Sequence, residues 1–390
     1  MLLQLAVFLT VVTVLHAATP TLVKPHILPL ERKTTSEEEK WRSEAIEKLW
    51  DERKSMGHTP LVKFQPKGFP NVDIYFKNET ASKTQTLKHR FAWALIAWAI
   101  IEGKVHSNST VYDSTSGNTG ASEAYMCTLV GLPYIAVVAK ELEKEKIKQI
   151  TSNGGKIMKV DVSLRNFHAE DQAKKNNGFF INQFGNAQEA EEFHESGGNP
   201  HESTNMFHEI LLQLEEDNDQ KKKIPDFFVH NSGTGGTITS VGRYVKRYNL
   251  PTTITLSDSE YSLFYDYVIS GKFTNESGTK YWKPPGVAGI GYGYNVKPVI
   301  YGETTRKSKD IKGRLLIVTV MCDPGEFYNS TYFNSTWIDK LFADRGGMMG
   351  LRCWKKVINK SIDHGTDFLE EGLISCPGAR EKRWVMRSFP

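Results

Sequence analysis

Five short apolar runs alternate with four longer segments of helical spacing between residues 133 and 256. Alternation at this spacing is typical of βαβ units, and it predicts an α/β fold whose mostly parallel sheet carries helices on both faces. Ligands of such folds bind beyond the carboxyl ends of the strands. We predict strands at 133–138, 157–160, 179–183, 227–230 and 253–256, and helices at 143–153, 164–176, 204–216 and 238–247.

The flanking sequence continues this pattern in both directions. An amphipathic helix is predicted at 37–54, and a long apolar helix at 86–102 carries Lys88 in its first turn. The chain of 390 residues is long enough for two domains. We also predict strands at 74–77, 111–112 and 314–321, a helix at 121–130, and at most a weak helix at 359–371.

Two loops rich in glycine and hydroxyl groups stand where strands end and helices begin. Residues 114–120 read Ser-Thr-Ser-Gly-Asn-Thr-Gly, and residues 231–237 read Asn-Ser-Gly-Thr-Gly-Gly-Thr. Each would present backbone N–H groups at the positive end of a helix, which suits a carboxylate or a phosphate. From loop chemistry alone, the first could equally be a capping turn and the second a tight turn. The second loop has neither the Gly-Lys-Ser/Thr of a Walker loop nor the glycine spacing of a dinucleotide fingerprint.

The N-terminus predicts a secreted protein. Residues 2–15 are almost wholly apolar and small residues follow, so we expect a signal peptide over residues 1–18, although no Lys or Arg precedes the apolar stretch. No later stretch is long enough to cross a membrane, and the scattered basic residues, with a net charge of +4, do not favour nucleic acid. Glycosylation sequons agree with secretion and occur at Asn78, Asn108, Asn275, Asn329, Asn334 and Asn359.

Four cysteines allow up to two disulfides in an oxidising compartment. Cys127 lies inside a predicted core helix and is expected to be a buried thiol. Cys353 and Cys376 both lie in the C-terminal tail and form the more plausible bridge. Their spacing does not suggest a zinc site.

Several motifs in fixed order resemble the cysteine synthase and cystathionine β-synthase family of pyridoxal-phosphate enzymes, which have the type II fold. The resemblance covers roughly residues 56–340 and rests mainly on the loops 114–120 and 233–237. It implies two mostly parallel three-layer αβα domains, with a core over 57–345, a smaller subdomain about 95–190 inserted in the larger one, an N-terminal segment 19–56 and a divergent tail 346–390. Further matches lie at 59–62, 77–79, 86–90, 183–186, 289–292, 323–328 and 337.

The resemblance also implies roles for individual residues. Lys88 would bond covalently to the pyridoxal 5'-phosphate cofactor and move the α-proton of the substrate. Asn118 would hydrogen-bond the phenolic oxygen of the cofactor. Members of the family are commonly homodimers. The phosphate would be held by Gly233, Thr234, Gly235, Gly236 and Thr237, and the substrate carboxylate by Thr115, Ser116, Thr119 and Gln183.

Two departures from the family pattern concern the same site. The family has Gly-Gly-Ser where this chain has Thr84, Gln85 and Thr86, and an aspartate where it has His89, so we expect a narrowed or reshaped pocket. The family serine that hydrogen-bonds the pyridine nitrogen is missing, because too few residues separate Tyr292 from the last strand. A rival alignment would place Arg352 at that serine; we prefer a deletion.

Two functions remain open from the sequence. The first is a secreted lyase or transferase that performs β-replacement or β-elimination on a serine-, O-acetylserine- or cysteine-like amino acid; a serine dehydratase or racemase is a lesser variant. The second is a glycosylated pseudoenzyme that keeps the fold without turnover. The intact Lys88 and Asn118 favour the enzyme, and the missing serine segment favours the pseudoenzyme. The histidines show no ligand spacing and are expected to be mostly surface or structural residues.

Overall fold

A computed structural model describes residues 36–190, 205–258, 262, 264 and 313–378. The predicted signal peptide, the sequon at Asn275 and the family motif at 289–292 lie outside these residues. Within them the strands are β1 (Leu61–Phe64), β2 (Val72–Asn78), β3 (Val111–Ser114), β4 (Tyr134–Ala139), β5 (Lys156–Val160), β6 (Phe179–Phe180), β7 (Phe227–His230), β8 (Thr253–Leu256) and β9 (Leu315–Met321).

Helices separate most of these strands, as the alternation predicted. Within the described residues they are α1 (Ser36–Met56), α2 (Lys88–Ile101), α3 (Asn118–Val130), α4 (Lys144–Ser152), α5 (Arg165–Lys175), α6 (Met206–Glu216), α7 (Gly236–Arg247), α8 (Ser335–Leu341), α9 (Gly347–His364) and α10 (Phe368–Ser375).

The strands form two sheets. One has the order β5-β4-β3-β6 and is parallel throughout. The other has the order β1-β2-β9-β7-β8, and only the pair β1–β2 is antiparallel. The predicted α/β class with mostly parallel sheets is therefore confirmed. Strands β3, β7 and β9 end at Ser114, His230 and Met321, and the residues that follow these ends form the candidate site.

Each sheet has its own apolar core. Helix α2 is buried nearly all round because it packs against α1 and α3 beside the four-stranded sheet; Trp93, Leu95 and Ile96 are at most 2% exposed. The five-stranded sheet packs Phe228 and Val318 against Phe207 of α6. The described residues contain no helix that is both long and apolar enough to cross a bilayer.

The tail differs from its prediction. The window 359–371 is not one weak helix, because it spans the end of α9 and the start of α10. Gly365 ends α9 in the left-handed conformation, with φ of 72°, and Asp367 caps α10. The predicted disulfide between Cys353 and Cys376 is present, and Cys127 is a fully buried thiol.

The sixth strand is also shorter than predicted. It ends at Phe180 rather than at 183, because Asn182 adopts a positive φ of 51°, which lies outside the extended conformation of a strand. Of the predicted sequons, Asn108, Asn329 and Asn359 are exposed. Asn78 and Asn334 are half-buried, and their side-chain oxygens accept hydrogen bonds from Thr80 and Trp337.

Candidate active site

A cavity of about 220 Å³ lies beyond the carboxyl ends of β7 and β9. Its wall combines the start of α2, the first residue of α3, the loop between β7 and α7, and the segment after β9. This is the edge of the fold at which the alternation predicted a ligand. The wall is formed by Thr86, Leu87, Lys88, Asn118, His230, Asn231, Ser232, Gly233, Thr234, Gly235, Gly236, Thr237, Ile238, Cys322, Asp323, Tyr328 and Tyr332.

Lys88 is the first residue of α2, and its ammonium group lies 5.5 Å from the centre of the Phe91 ring. The N–H of Leu87 donates to the carbonyl of Cys322 at 2.8 Å and ties this helix start to the end of β9. Burial lowers the pKa of Lys88, and the nearby Cys322 and Asp323 oppose this shift only in part. A lysine with a lowered pKa keeps a larger neutral fraction, which is the form that acts as nucleophile and base.

All five glycine-loop residues predicted to bind phosphate line the same cavity. Gly235 has a φ of 89°, which favours glycine, and α7 begins at the next residue. Helix α7 therefore starts earlier than the predicted residue 238, and its first three residues line the cavity. This arrangement suits a phosphate group.

Asn118 joins the cavity wall to the segment after β9. Its amide Nδ2 donates to Asp323 at 2.5 Å, and the hydroxyl of Tyr328 donates to the same carboxylate. The amide Oδ1 of Asn118 is buried and accepts no hydrogen bond from the described residues. The hydroxyl of Ser232 is likewise buried without a partner among them. Buried polar atoms of this kind are expected where a polar ligand binds.

The four residues predicted to bind the substrate carboxylate lie behind or beside Asn118 rather than in the cavity wall. Ser116 is exposed, whereas Thr115, Thr119 and Gln183 are buried. The hydroxyl of Thr119 donates to Gln183 Oε1 at 2.7 Å. Gln183 Nε2 donates to Asp113 and to the carbonyl of Ser114, both at 2.8 Å. In this geometry Gln183 supports the loop, because both of its amide hydrogens are already engaged.

His230 is a site residue that the sequence interpretation missed. It is the last residue of β7, it lines the cavity, and it is 5% exposed. Burial, together with the positive charge of Lys88, lowers its pKa to about 3, so the imidazole is neutral at physiological pH. The expectation that the histidines are mostly surface or structural residues did not single it out. Its position directly before the glycine loop was the available signal.

The residues around Lys88 that depart from the family pattern do not all face the cavity. Only Thr86 of the three lines the cavity. Thr84 and His89 instead hydrogen-bond each other at 3.2 Å, and His89 Nε2 reaches Glu52 of α1 at 3.1 Å. These hydrogen bonds therefore connect the segment 84–89, which contains Lys88, to the N-terminal helix α1. The rival position for the missing serine, Arg352, is exposed on α9 and does not line the cavity.

Gln85 occupies a left-handed conformation, with φ of 57°, where the family has glycine. We expect Gln85→Gly to raise the free energy of unfolding by about 0.5–1 kcal/mol, because relief of left-handed strain exceeds the entropic cost of glycine. Urea unfolding of the wild type and the variant measures this change. Gln85→Ala is the control and should give no gain, since alanine retains the strain. A loss of stability in the glycine variant would contradict this account.

A second network, made of buried charged side chains, connects α2 to its neighbouring elements. Glu209 of α6 is 1% exposed and pairs with Arg90 at 2.9 Å, with Lys77 at 3.0 Å and with Arg53 at 3.6 Å. Arg90 also pairs with Glu79 at 2.9 Å. The network joins α1, β2, α2 and α6 and fixes the helix that begins with Lys88.

Comparisons with known proteins identify the family of this chain. A family model described as pyridoxal-phosphate dependent enzyme matches residues 53–307, more than half of the chain. A pyridoxal-phosphate-dependent protein of Caenorhabditis elegans is 55% identical over 97% of this chain and 99% of its own length. That alignment runs over 430 positions, which exceeds the 390 residues of this chain, so the relative contains residues that this chain lacks.

More distant relatives and solved structures extend the comparison. An L-cysteine desulfhydrase of Mycobacterium tuberculosis is 29% identical over 79% of this chain and 92% of its own length. The crystal structure of an O-ureido-L-serine synthase superposes with a TM-score of 0.57 at 20% identity, covering 72% of this chain and 93% of that one. An O-acetylserine-dependent cystathionine β-synthase of Helicobacter pylori gives 0.56 at 20% identity, covering 72% and 97%. These two structures share the fold.

Proposed function

Because this chain belongs to the family of pyridoxal-phosphate-dependent enzymes and is of the cysteine synthase and desulfhydrase type, we propose that it performs β-elimination on L-cysteine. The products would be hydrogen sulfide, pyruvate and ammonia, with water consumed. One observation carries the proposal: the desolvated amine of Lys88 lines a single cavity together with the glycine loop. The cysteine desulfhydrase relative, which aligns over 92% of its length, supports the choice of reaction.

The residues of the cavity fit pyridoxal phosphate. The glycine loop and the start of α7 would hold the phosphate of the cofactor, and Lys88 would bind the cofactor covalently. Asn118 retains an unpaired amide oxygen and a second N–H that could bind the polar edge of the cofactor ring. When bound, pyridoxal phosphate supplies an aldehyde that reacts with amines and a ring that withdraws electrons from the substrate α-carbon. Ser232, with its unpartnered hydroxyl, is a further polar atom available to it.

The side chains around the cavity would then have different roles in proton transfer. Lys88, in its neutral form, takes the proton from the α-carbon of the substrate. The Cβ–S bond breaks, the electron pair leaves with sulfur, and the proton that Lys88 has taken completes the departing hydrogen sulfide. His230 is neutral, so the lowered pKa of Lys88 results from burial and not from a second positive charge in the cavity wall. The positive end of the helix dipole at the start of α3 would orient the substrate carboxylate.

A β-replacement is the second candidate, since a family relative and a structural neighbour are named for synthase reactions. The same cavity would then admit a second nucleophile after the first leaving group departs. The absence of the family serine favours a third outcome, a folded protein without turnover. These alternatives differ in their products and can be separated in one set of assays.

The test supplies purified protein and pyridoxal phosphate with each substrate in turn. We expect sulfide and pyruvate in equal amounts from L-cysteine, and less product from O-acetylserine plus sulfide or from serine plus homocysteine. Thr234→Val, which alters one phosphate-loop hydroxyl and keeps the side-chain shape, should raise the cofactor concentration needed for half-maximal rate. Product from the synthase pairs alone would overturn the elimination, and no product from any pair would favour the pseudoenzyme.

A further inference from the structure

Two completely buried carboxyl groups lie next to residues 114–120, which we call the substrate loop. Asp113 is the last but one residue of β3, directly before Ser114, and Glu123 lies on the second turn of α3; both residues are 0% exposed. Neither forms an ion pair within the described part of the chain, and the two side chains interact directly with each other. Two ionised carboxylates in contact without a cation would repel strongly in such an interior.

The hydrogen bonds around Asp113 identify it as the ionised member. It accepts from Gln183 Nε2 at 2.8 Å and from the Gln183 backbone N–H at 3.3 Å, and the N–H of Ser114 also donates to it. All of these partners are donors. A carboxylate, which only accepts, satisfies every one of them.

The surroundings of Glu123 require a proton. Its Oε2 accepts from the hydroxyl of Tyr134 at 2.7 Å, whereas its Oε1 is buried and receives no hydrogen bond from the described residues. A protonated Oε1 donates to Asp113 and leaves no buried polar atom of the pair unpaired. Burial raises the pKa of both carboxyls, and the charge of Asp113 raises that of Glu123 further.

We propose that Asp113 and Glu123 share one proton and act together as positioning residues for the substrate loop. The carboxylate of Asp113 holds the Gln183 amide in one orientation, so that Oε1 faces Thr119. Thr119 is the second residue of α3, and its hydroxyl is thereby fixed at the helix start that would bind the substrate carboxylate. The effect on catalysis rests on the function proposed above, but the shared proton does not.

The remaining groups around the pair stay uncharged. Tyr134 and Cys127 are the other titratable groups that interact with Glu123, and burial raises the pKa of both well above their usual values. Gln183 does not titrate. No charged group therefore neighbours the pair among the groups named here, and Glu123 is the member of the pair that carries the proton.

Two variants at one position separate a protonated Glu123 from an ionised one. Glu123→Gln keeps a donor for Asp113 and an acceptor for Tyr134, so we expect a KM for L-cysteine within about twofold of the wild type. Glu123→Leu removes the donor and leaves Asp113 buried without it, so we expect KM to rise about tenfold with little change in kcat. Glutamine as damaging as leucine would overturn the proposal.

Infrared spectroscopy tests the proton without any substrate. At neutral pH we expect the wild type to show the C=O stretching band of a protonated carboxylic acid, and Glu123→Gln to lack it. A wild type without this band would overturn the shared proton. Since this measurement needs no turnover, it decides the proposal even if L-cysteine is not the substrate. The melting temperature of each variant identifies any that fails to fold.

Discussion

We expect the Lys88→Ala variant to lose turnover of L-cysteine by a factor of about 10³ or more, since general base catalysis alone contributes about 10²–10⁴. The variant also removes the only lysine in the cavity wall formed by the described residues, so it should lose the visible absorption band of lysine-bound pyridoxal phosphate. Both effects have one cause, the amine at the start of α2. Steady-state assays and absorption spectra of the purified variant measure them.

Lys140→Ala is the matched control for this variant. Lys140 is exposed, lies outside the cavity wall, and pairs with Asp161 on the surface. It should leave both the absorption band and the rate unchanged. A Lys88→Ala variant that keeps the band, while Lys140→Ala behaves as the wild type does, would show that another group binds the cofactor.

Glu209→Gln should lower the free energy of unfolding by about 3–5 kcal/mol, the cost of removing one partner from a buried charge network. The three cations that surround Glu209 would then lose a shared anion, and Arg90 would keep only Glu79 as an ion-pair partner among the residues of this network. Arg90 lies two residues after Lys88, so activity should fall together with stability.

The pH dependence of stability supplies a second readout for this network. Its cations hold the pKa of Glu209 far below the usual range. A lowered carboxyl pKa contributes stability above the unfolded value of about 4.3, and this contribution is lost as the pH falls below it. The wild type should therefore lose this contribution on acidification, and Glu209→Gln should lack it already at pH 7. Glu216→Gln, on the exposed end of the same helix, should match the wild type; an equal loss in both variants would contradict the account.

The repeated pattern of the chain made its architecture predictable. Strands separated by helix-length segments can only return in parallel, and this places every loop that follows a strand at one edge of a sheet. The bounds of β7 and β8 agree with the prediction to the residue, because each is a short apolar run between clear turn signals. The two glycine loops were likewise recognisable, since glycine, serine and threonine between a strand and a helix are typical of tight turns at a helix start.

Contacts between distant segments were not predictable from the chain pattern. The side chain of His89, which Thr84 contacts, turns toward α1, and this depends on Glu52, which lies more than thirty residues earlier. His230 looks like any strand residue until the fold places it beside Lys88. The prediction for the tail was wrong for a local reason. The single helix predicted at 359–371 crosses Gly365, where one helix ends and a turn leads into the next.

Borohydride reduction of the protein loaded with pyridoxal phosphate, followed by mass spectrometry of its peptides, tests the central claim most directly. Reduction fixes the cofactor on the lysine that holds it. The account predicts one pyridoxyl group, on the peptide that contains Lys88 and on that residue. An adduct on another lysine, such as the buried Lys146, or no adduct in a folded protein saturated with the cofactor, would contradict it.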